Sequence, residues 1–134
     1  LTPDLDIILV KQFRYGTGVE ELEIPGGVIE PGEDPVTAGC RELLEECGYS
    51  GSNARIIGKV CPNPAIQKNL CYTVLVEEAI KTADQKQDEM EDIEVLLRPW
   101  QEVLDAFRNG NLEISHGLVL NALSHYRNLI KQNR

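Results

Sequence analysis

The sequence predicts a single α/β domain. Short apolar runs with strand-like patterning are separated by turn-rich stretches, one strongly capped helix lies between them, and two further helical patterns close the chain. A length of 134 residues, 42% hydrophobic and 26% charged, suits one modest core and needs no second domain. The chain has no internal repeats and no low-complexity tracts.

Leu1-Thr2-Pro3 opens the chain without an initiating methionine, which suggests that an upstream portion is missing. Asp6 to Phe13 (DIILVKQF) reads as a mostly buried strand, Arg14 to Gly18 as a loop, and Glu20 to Ile24 as a half-buried strand with Leu22 and Ile24 inward. Pro25-Gly26-Gly27 breaks that strand where backbone must turn and approach closely. A helix follows from about Pro35 to Cys47: Asp34 suits the N-cap, Pro35 the first helical position, and Gly48 the left-handed C′ position. Arg55 to Val60 is a short strand, and Cys61-Pro62-Asn63-Pro64-Ala65 a rigid loop because two prolines fix φ. Leu70 to Glu77 is apolar on both faces, as a central strand is, and Lys81 to Asp92 is a polar, acidic loop leading into a strand at 93–97. Trp100 to about Asn109 is a helix with Val103, Leu104 and Phe107 inward and Gly110 as its stop. Ser115 can cap a last helix carrying Val119, Leu123, Tyr126 and Ile130 at helical spacing.

The first helix has an unusual charge pattern. At 100° per residue Val36, Cys40, Leu43 and Cys47 form an apolar stripe, and Glu42, Glu45 and Glu46 gather nearly opposite. Like charges at i,i+4 repel by a few tenths of a kcal/mol per pair, roughly, and Arg41 alone cannot balance three carboxylates. Hard divalent cations bind carboxylate oxygens and would turn that repulsion into an ion site, with Glu33 a further oxygen from the preceding loop. A plain acidic, solvated helix face is the alternative reading of the three glutamates by themselves.

The spacing decides between them. Gly27, five residues, Glu33, seven residues, then Arg41-Glu42-Leu43-Leu44-Glu45-Glu46-Cys47-Gly48-Tyr49 resembles the Nudix box, G-x5-E-x7-R-E-U-x-E-E-x-G-U with U aliphatic; only Tyr49 departs, at a packing position. The resemblance implies an α/β/α sandwich with a mixed central sheet, a loop-helix-loop metal site, and hydrolysis of a nucleoside diphosphate linked to another group X. It makes Glu42, Glu45 and Glu46 the ligands of Mg²⁺ (or Mn²⁺), the Gly26 carbonyl a further ligand, and Glu33 a loop brace or additional ligand. Arg41 would orient a glutamate. The segment VKQFRYGTGVEELEIPGG, with Arg14 and Glu23 as candidate substrate contacts, resembles the ADP-ribose and ADP-sugar pyrophosphatase branch, as does Pro64, sixteen residues past Gly48. Many relatives in that branch have Gly after the proline and Glu five residues on, where this chain has Ala65 and Asn69. DEMEDIEV is similar to the acidic loop that supplies the base in that branch, which makes Glu89 the candidate base and Glu91 the second candidate or an extra ligand. Glu45 is counted with the catalytic residues as well as the metal ligands.

The expected reaction is cleavage of ADP-ribose or an ADP-sugar into two monophosphates. The alternatives are another nucleotide sugar, a coenzyme or a dinucleoside polyphosphate as substrate, or a noncatalytic binding module of the same fold. A net charge of −9 excludes a nonspecific nucleic-acid binder, which needs a basic face. No apolar run approaches a membrane span and no secretory signal pattern is present, so a cytoplasmic location is expected. The branch resemblance implies a homodimer. Cys40, Cys47, Cys61 and Cys71 lack paired spacing and read as reduced structural thiols; His116 and His125 read as surface or core residues, and Trp100 as a core or edge aromatic.

Overall fold

The computed structural model describes residues 1–86 and 92–132 of the chain. Strand β1 (Asp6–Arg14) forms a hairpin with β2 (Val19–Glu23), in register from Val10 opposite Glu23 to Arg14 opposite Val19. Helix α1 (Pro35–Cys47) follows, then β3 (Tyr49–Val60) and β4 (Cys71–Lys81), which pair with each other. Strand β5 (Glu94–Pro99) adds to the free edge of β1, and α2 (Trp100–Asn109) and α3 (Gly117–Gln132) complete the fold.

The α/β class stands, with helices on both faces of the β layer. Among the described residues the strands form two antiparallel sheets, ordered β2-β1-β5 and β3-β4, in place of one mixed sheet. The pairings follow from connectivity: β1 and β2 are joined by a tight turn, and β3 returns on itself as β4.

Side-chain alternation shows the layering. Ile8 and Val10 of β1 pack with Leu43 and Cys47 of α1 and with Val76 and Ala79 of β4. Leu9, between them and 1% exposed, points the other way into Trp100, Val103 and Leu104 of α2 and Val119 and Leu123 of α3. On β4 the same rule holds: Val74 lies against Gly39 of α1, while its neighbour Thr73 meets His125 of α3 at 3.3 Å. Both sheets therefore lie between α1 on one side and the C-terminal helices on the other.

Three boundaries differ from expectation, one of them the end of β4, expected at Glu77 and found at Lys81. The strand expected at 55–60 begins at Tyr49, because Tyr49 and Ser50 continue the backbone pairing to Lys81 and Ile80. Ser115 does not cap α3, which starts at Gly117; its hydroxyl donates instead to Glu21 Oε2 at 2.8 Å. The four cysteines are free thiols.

Candidate active site

Helix α1 is held at both ends by the residues its sequence suggests. Asp34 Oδ1 accepts from the Val36 and Thr37 N–H groups at 3.0 and 3.2 Å, and Gly48, at φ 74°, donates to the carbonyls of Leu43 and Leu44. The turn before the helix is fastened to the acid face at two points. Gly26 N–H donates to Glu46 Oε2 at 3.0 Å, and Gly27 lies so close to the Glu42 carboxylate that a β-carbon there would overlap it. Glu46 is accordingly buried at 7% exposure, whereas the Glu45 side chain is 43% exposed.

Arg41 ties the loop to the helix. Its Nε and Nη2 donate to the two oxygens of Glu33 at 2.9 and 3.0 Å, Nη2 also to the Val28 carbonyl at 3.1 Å, and Nη1 to Glu42 Oε1 and Glu45 Oε2 at 2.8 and 3.0 Å. This guanidinium, and next the Glu30 N–H, hold the Glu33 carboxyl below the usual glutamate range; the hydrogen bonds that Arg41 donates to the carboxylates, Glu33 first, raise its own pKa. Among the described residues three carboxylates, Glu33, Glu42 and Glu45, share this one guanidinium, so the patch keeps an excess of negative charge. Burial, and secondarily the Glu46 charge, push the Cys47 thiol beneath it up to about 12.

Among the described residues no three Asp, Glu, His or Cys side chains are drawn together as a metal cage. Glu42 and Glu45 instead each turn one oxygen onto Arg41, and the other oxygen of each has no hydrogen-bond partner among the described residues. The donor set, all carboxylate oxygen with excess negative charge, fits a hard divalent cation.

Beside this face is a cavity of about 750 Å³, large enough for a nucleotide-sized ligand. Arg14, Glu23, Gly26, Gly27 and Glu42 lie on its wall. Arg14 grips buried Glu23 with two bonds, Nε to Oε1 at 2.6 Å and Nη2 to Oε2 at 2.8 Å. Pro64 is exposed and does not line the cavity; Asn69 does. Glu33, Glu45 and Glu46 stand outside its lining, and Glu89 and Glu91 lie outside the described residues.

The opposite wall carries residues without a functional signature in the sequence. His116 and Asn121 of the α3 region line the cavity, and His116 Nδ1 and Asn121 Oδ1 are buried without hydrogen-bond partners among the described residues. Only the placement of α3 across the sheet brings them there. Spacing along the chain could not have found them. His125 has a packing position, its ring against Gly58 of β3, and Trp100 is a core residue edge-on to Tyr126.

Comparison with known proteins agrees with this arrangement. The family profile described as NUDIX domain matches residues 1–120. The chain is 46% identical over 70 residues to an ADP-sugar pyrophosphatase of Mus musculus, covering 52% of this chain and 32% of that protein. It is 34% identical over 97 residues to an ADP-ribose pyrophosphatase of Bacillus subtilis (strain 168), covering 72% and 52%, and 40% identical over 99 residues to that of Saccharomyces cerevisiae, covering 70% and 41%. The chain thus spans about half or less of the length of these relatives. A solved structure described as an ADP compounds hydrolase superposes with a TM-score of 0.85 at 23% identity, over 99% of this chain and 70% of that one, a likeness of fold.

Proposed function

This chain belongs to the NUDIX domain family, and from that membership we propose that it is a divalent-metal-dependent pyrophosphohydrolase cleaving ADP-ribose or an ADP-sugar into two monophosphates. The observation that carries the reading is the acid face of α1, with Glu42 and Glu46 against the Gly26-Gly27 turn at the edge of a nucleotide-sized cavity. The ADP-ribose and ADP-sugar pyrophosphatases among its relatives support the substrate class.

Glu42, Glu45 and Glu46, with the Gly26 carbonyl, would hold Mg²⁺ or Mn²⁺, and Glu33 would brace the loop through Arg41. Bound there, the ion supplies charge neutralisation for the diphosphate and a lowered pKa for the attacking water. Arg14, on the cavity wall, would meet a phosphate oxygen, and its two bonds to Glu23 would fix its orientation. Pro64 would shape the loop beside the substrate. Glu89, with Glu91 as second candidate, is assigned the general base on sequence resemblance, a role that contributes on the order of 10²–10⁴-fold. No helix among the described residues is long and apolar enough to cross a membrane. A cytoplasmic homodimer goes with this proposal, and light scattering would measure its mass.

A hydrolysis screen over ADP-ribose, ADP-sugars, other nucleotide sugars, coenzymes and dinucleoside polyphosphates, with product identification, tests the substrate class. Turnover of ADP-ribose or an ADP-sugar to AMP and a sugar phosphate is expected; exclusive turnover of another class would redirect it. Glu46→Gln keeps an acceptor for the Gly26 N–H but removes the charge. It should lower kcat about 10³-fold, several kcal/mol of transition-state stabilisation, with circular dichroism unchanged. Wild-type turnover in that variant would remove Glu46 from the ligand set.

A further inference from the structure

A second, smaller cavity opens between α2 and α3, about 380 Å³ in volume. Its floor is apolar and aromatic, from Leu104, Trp100 and Tyr126, and its rim carries Arg108, Arg127 and Lys131. Among the described residues no acidic side chain lines it, in a chain whose net charge is −9. Arg108 and Lys131 stand in the last turns of their helices, where a cation is favoured by the helix dipole alone, and Arg108 also pairs with Asp105 at 3.4 Å. The dipole does not account for the other two groups. Trp100 is 8% exposed, and its indole Nε1 is buried with no hydrogen-bond partner among the described residues; Arg127 Nε is likewise buried and without a partner among them, its guanidinium 5.4 Å from the centre of the Phe107 ring.

Both orphans are donors, and leaving a buried donor unsatisfied is costly because its lost hydration is not replaced. Two such donors on residues lining one pocket, with two further cations at its mouth, call for an acceptor bearing negative charge. The aromatic floor calls for a flat or apolar body behind that charge. We propose that this cavity is a binding site for a small organic anion, a phosphate or carboxylate carried on an aromatic or apolar group, separate from the larger cavity. Arg108, Arg127 and Lys131 do not line the larger cavity, whereas Trp100 and Tyr126 form a wall common to both. An occupant of the small site therefore presses on the same aromatic pair that bounds the large one.

Trp100 is the chain's only tryptophan, so intrinsic fluorescence reports on this wall directly. Phenyl phosphate, benzoate, inorganic phosphate and benzyl alcohol would each be titrated into the full chain carrying Glu46→Gln, so that the outcome does not depend on hydrolysis at the larger cavity. A saturable change is expected with phenyl phosphate or benzoate, the stronger of the two identifying the anion, and none with benzyl alcohol. Arg127→Gln should weaken it by roughly tenfold or more, as loss of a charged hydrogen bond does, and Lys131→Gln, at an exposed position, by about threefold with a steeper loss in salt-free buffer. Absence of a saturable change with either organic anion overturns the site, as does equal binding of benzyl alcohol. Undiminished binding in a folded Arg127→Gln overturns it too; if that variant does not fold, undiminished binding in Lys131→Gln does so.

Discussion

Gly27 is required by contact and not by backbone angle. Its φ is not left-handed, yet a β-carbon there would meet the Glu42 carboxylate. The obstruction is the far end of a flexible side chain, so Gly27→Ala is accommodated by swinging Glu42 aside. Thermal unfolding should shift by no more than about 2 °C, while turnover falls on the order of 10²-fold if Glu42 holds the ion as proposed, because its carboxylate would move by about an ångström. Unaltered kinetics would separate Glu42 from the chemistry. Glu33 makes a different prediction. Its carboxyl is held below the ordinary range by Arg41 first and the Glu30 N–H second, so the folded state binds fewer protons there than the unfolded chain does. Its stabilisation is fully present above the unfolded glutamate value, about pH 4.3, and is lost as pH falls through the lower folded value. Glu33→Gln should therefore be less stable than wild type at pH 7, with the gap closing below about pH 4; urea unfolding at several pH values measures it. At this scale the sequence is readable where partners are near in the chain. Arg41, Glu42, Glu45 and Glu46 share one stretch of helix, and Gly26 and Gly27 immediately precede the loop that leads into it. The grip of Arg14 on Glu23 depends on the β1–β2 register, and the polar atoms of His116 and Asn121 reach the cavity only through the placement of α3. Nothing local encodes either.

The same division runs through the elements. Helix α1 has the bounds its residues predict, Pro35 to Cys47, because both stops are local chemistry: a carboxylate accepting two N–H groups at one end and a left-handed glycine at the other. Strand β3 is different, since its first residues (Tyr49-Ser50-Gly51-Ser52-Asn53) have the composition of a loop and become strand through backbone pairing to the end of β4. Such pairing is a tertiary event that overrides propensity. Gly48 sits where the two elements meet. Its φ of 74° is unfavourable for a residue with a side chain, and a β-carbon would overlap the Ala83 carbonyl, which is backbone and cannot swing away. Its own carbonyl accepts from Thr82 and Ala83, so the position also fastens the end of β4 to the end of α1. Gly48→Ala should cost about 2 kcal/mol or more, and lower the melting temperature by roughly 8 °C in a domain of this size. A shift under about 2 °C in calorimetry would show that the junction relaxes instead.

For the molecule as a whole, the acid face is a liability that the fold accepts. A net charge of −9 already opposes compaction, and three carboxylates, two from α1 and one from the loop before it, share the Arg41 guanidinium of a helix that also closes the core through Leu43 and Cys47. In a purely structural protein, packing and charge on α1 would work against each other, and cations placed on that face would relieve the strain. Cation binding at that face, as proposed, would resolve the conflict, since an ion bound to the native state and not to the unfolded chain stabilises by mass action, by about 2.7 kcal/mol at a hundredfold excess over Kd. Mg²⁺ at that excess should raise the melting temperature by roughly 10 °C, with chelator returning it to the starting value. General screening of a −9 chain would also stabilise it, so the comparison is with NaCl of equal ionic strength, which should give only a small part of the shift. Glu46→Gln separates the two effects further: it lowers the net negative charge and so should keep any screening response, but it should lose the Mg²⁺-specific increment. Equal shifts from Mg²⁺ and NaCl, or an undiminished Mg²⁺ increment in Glu46→Gln, would mean that the three glutamates face water and not an ion. The acid face of α1 would then be a solvated surface.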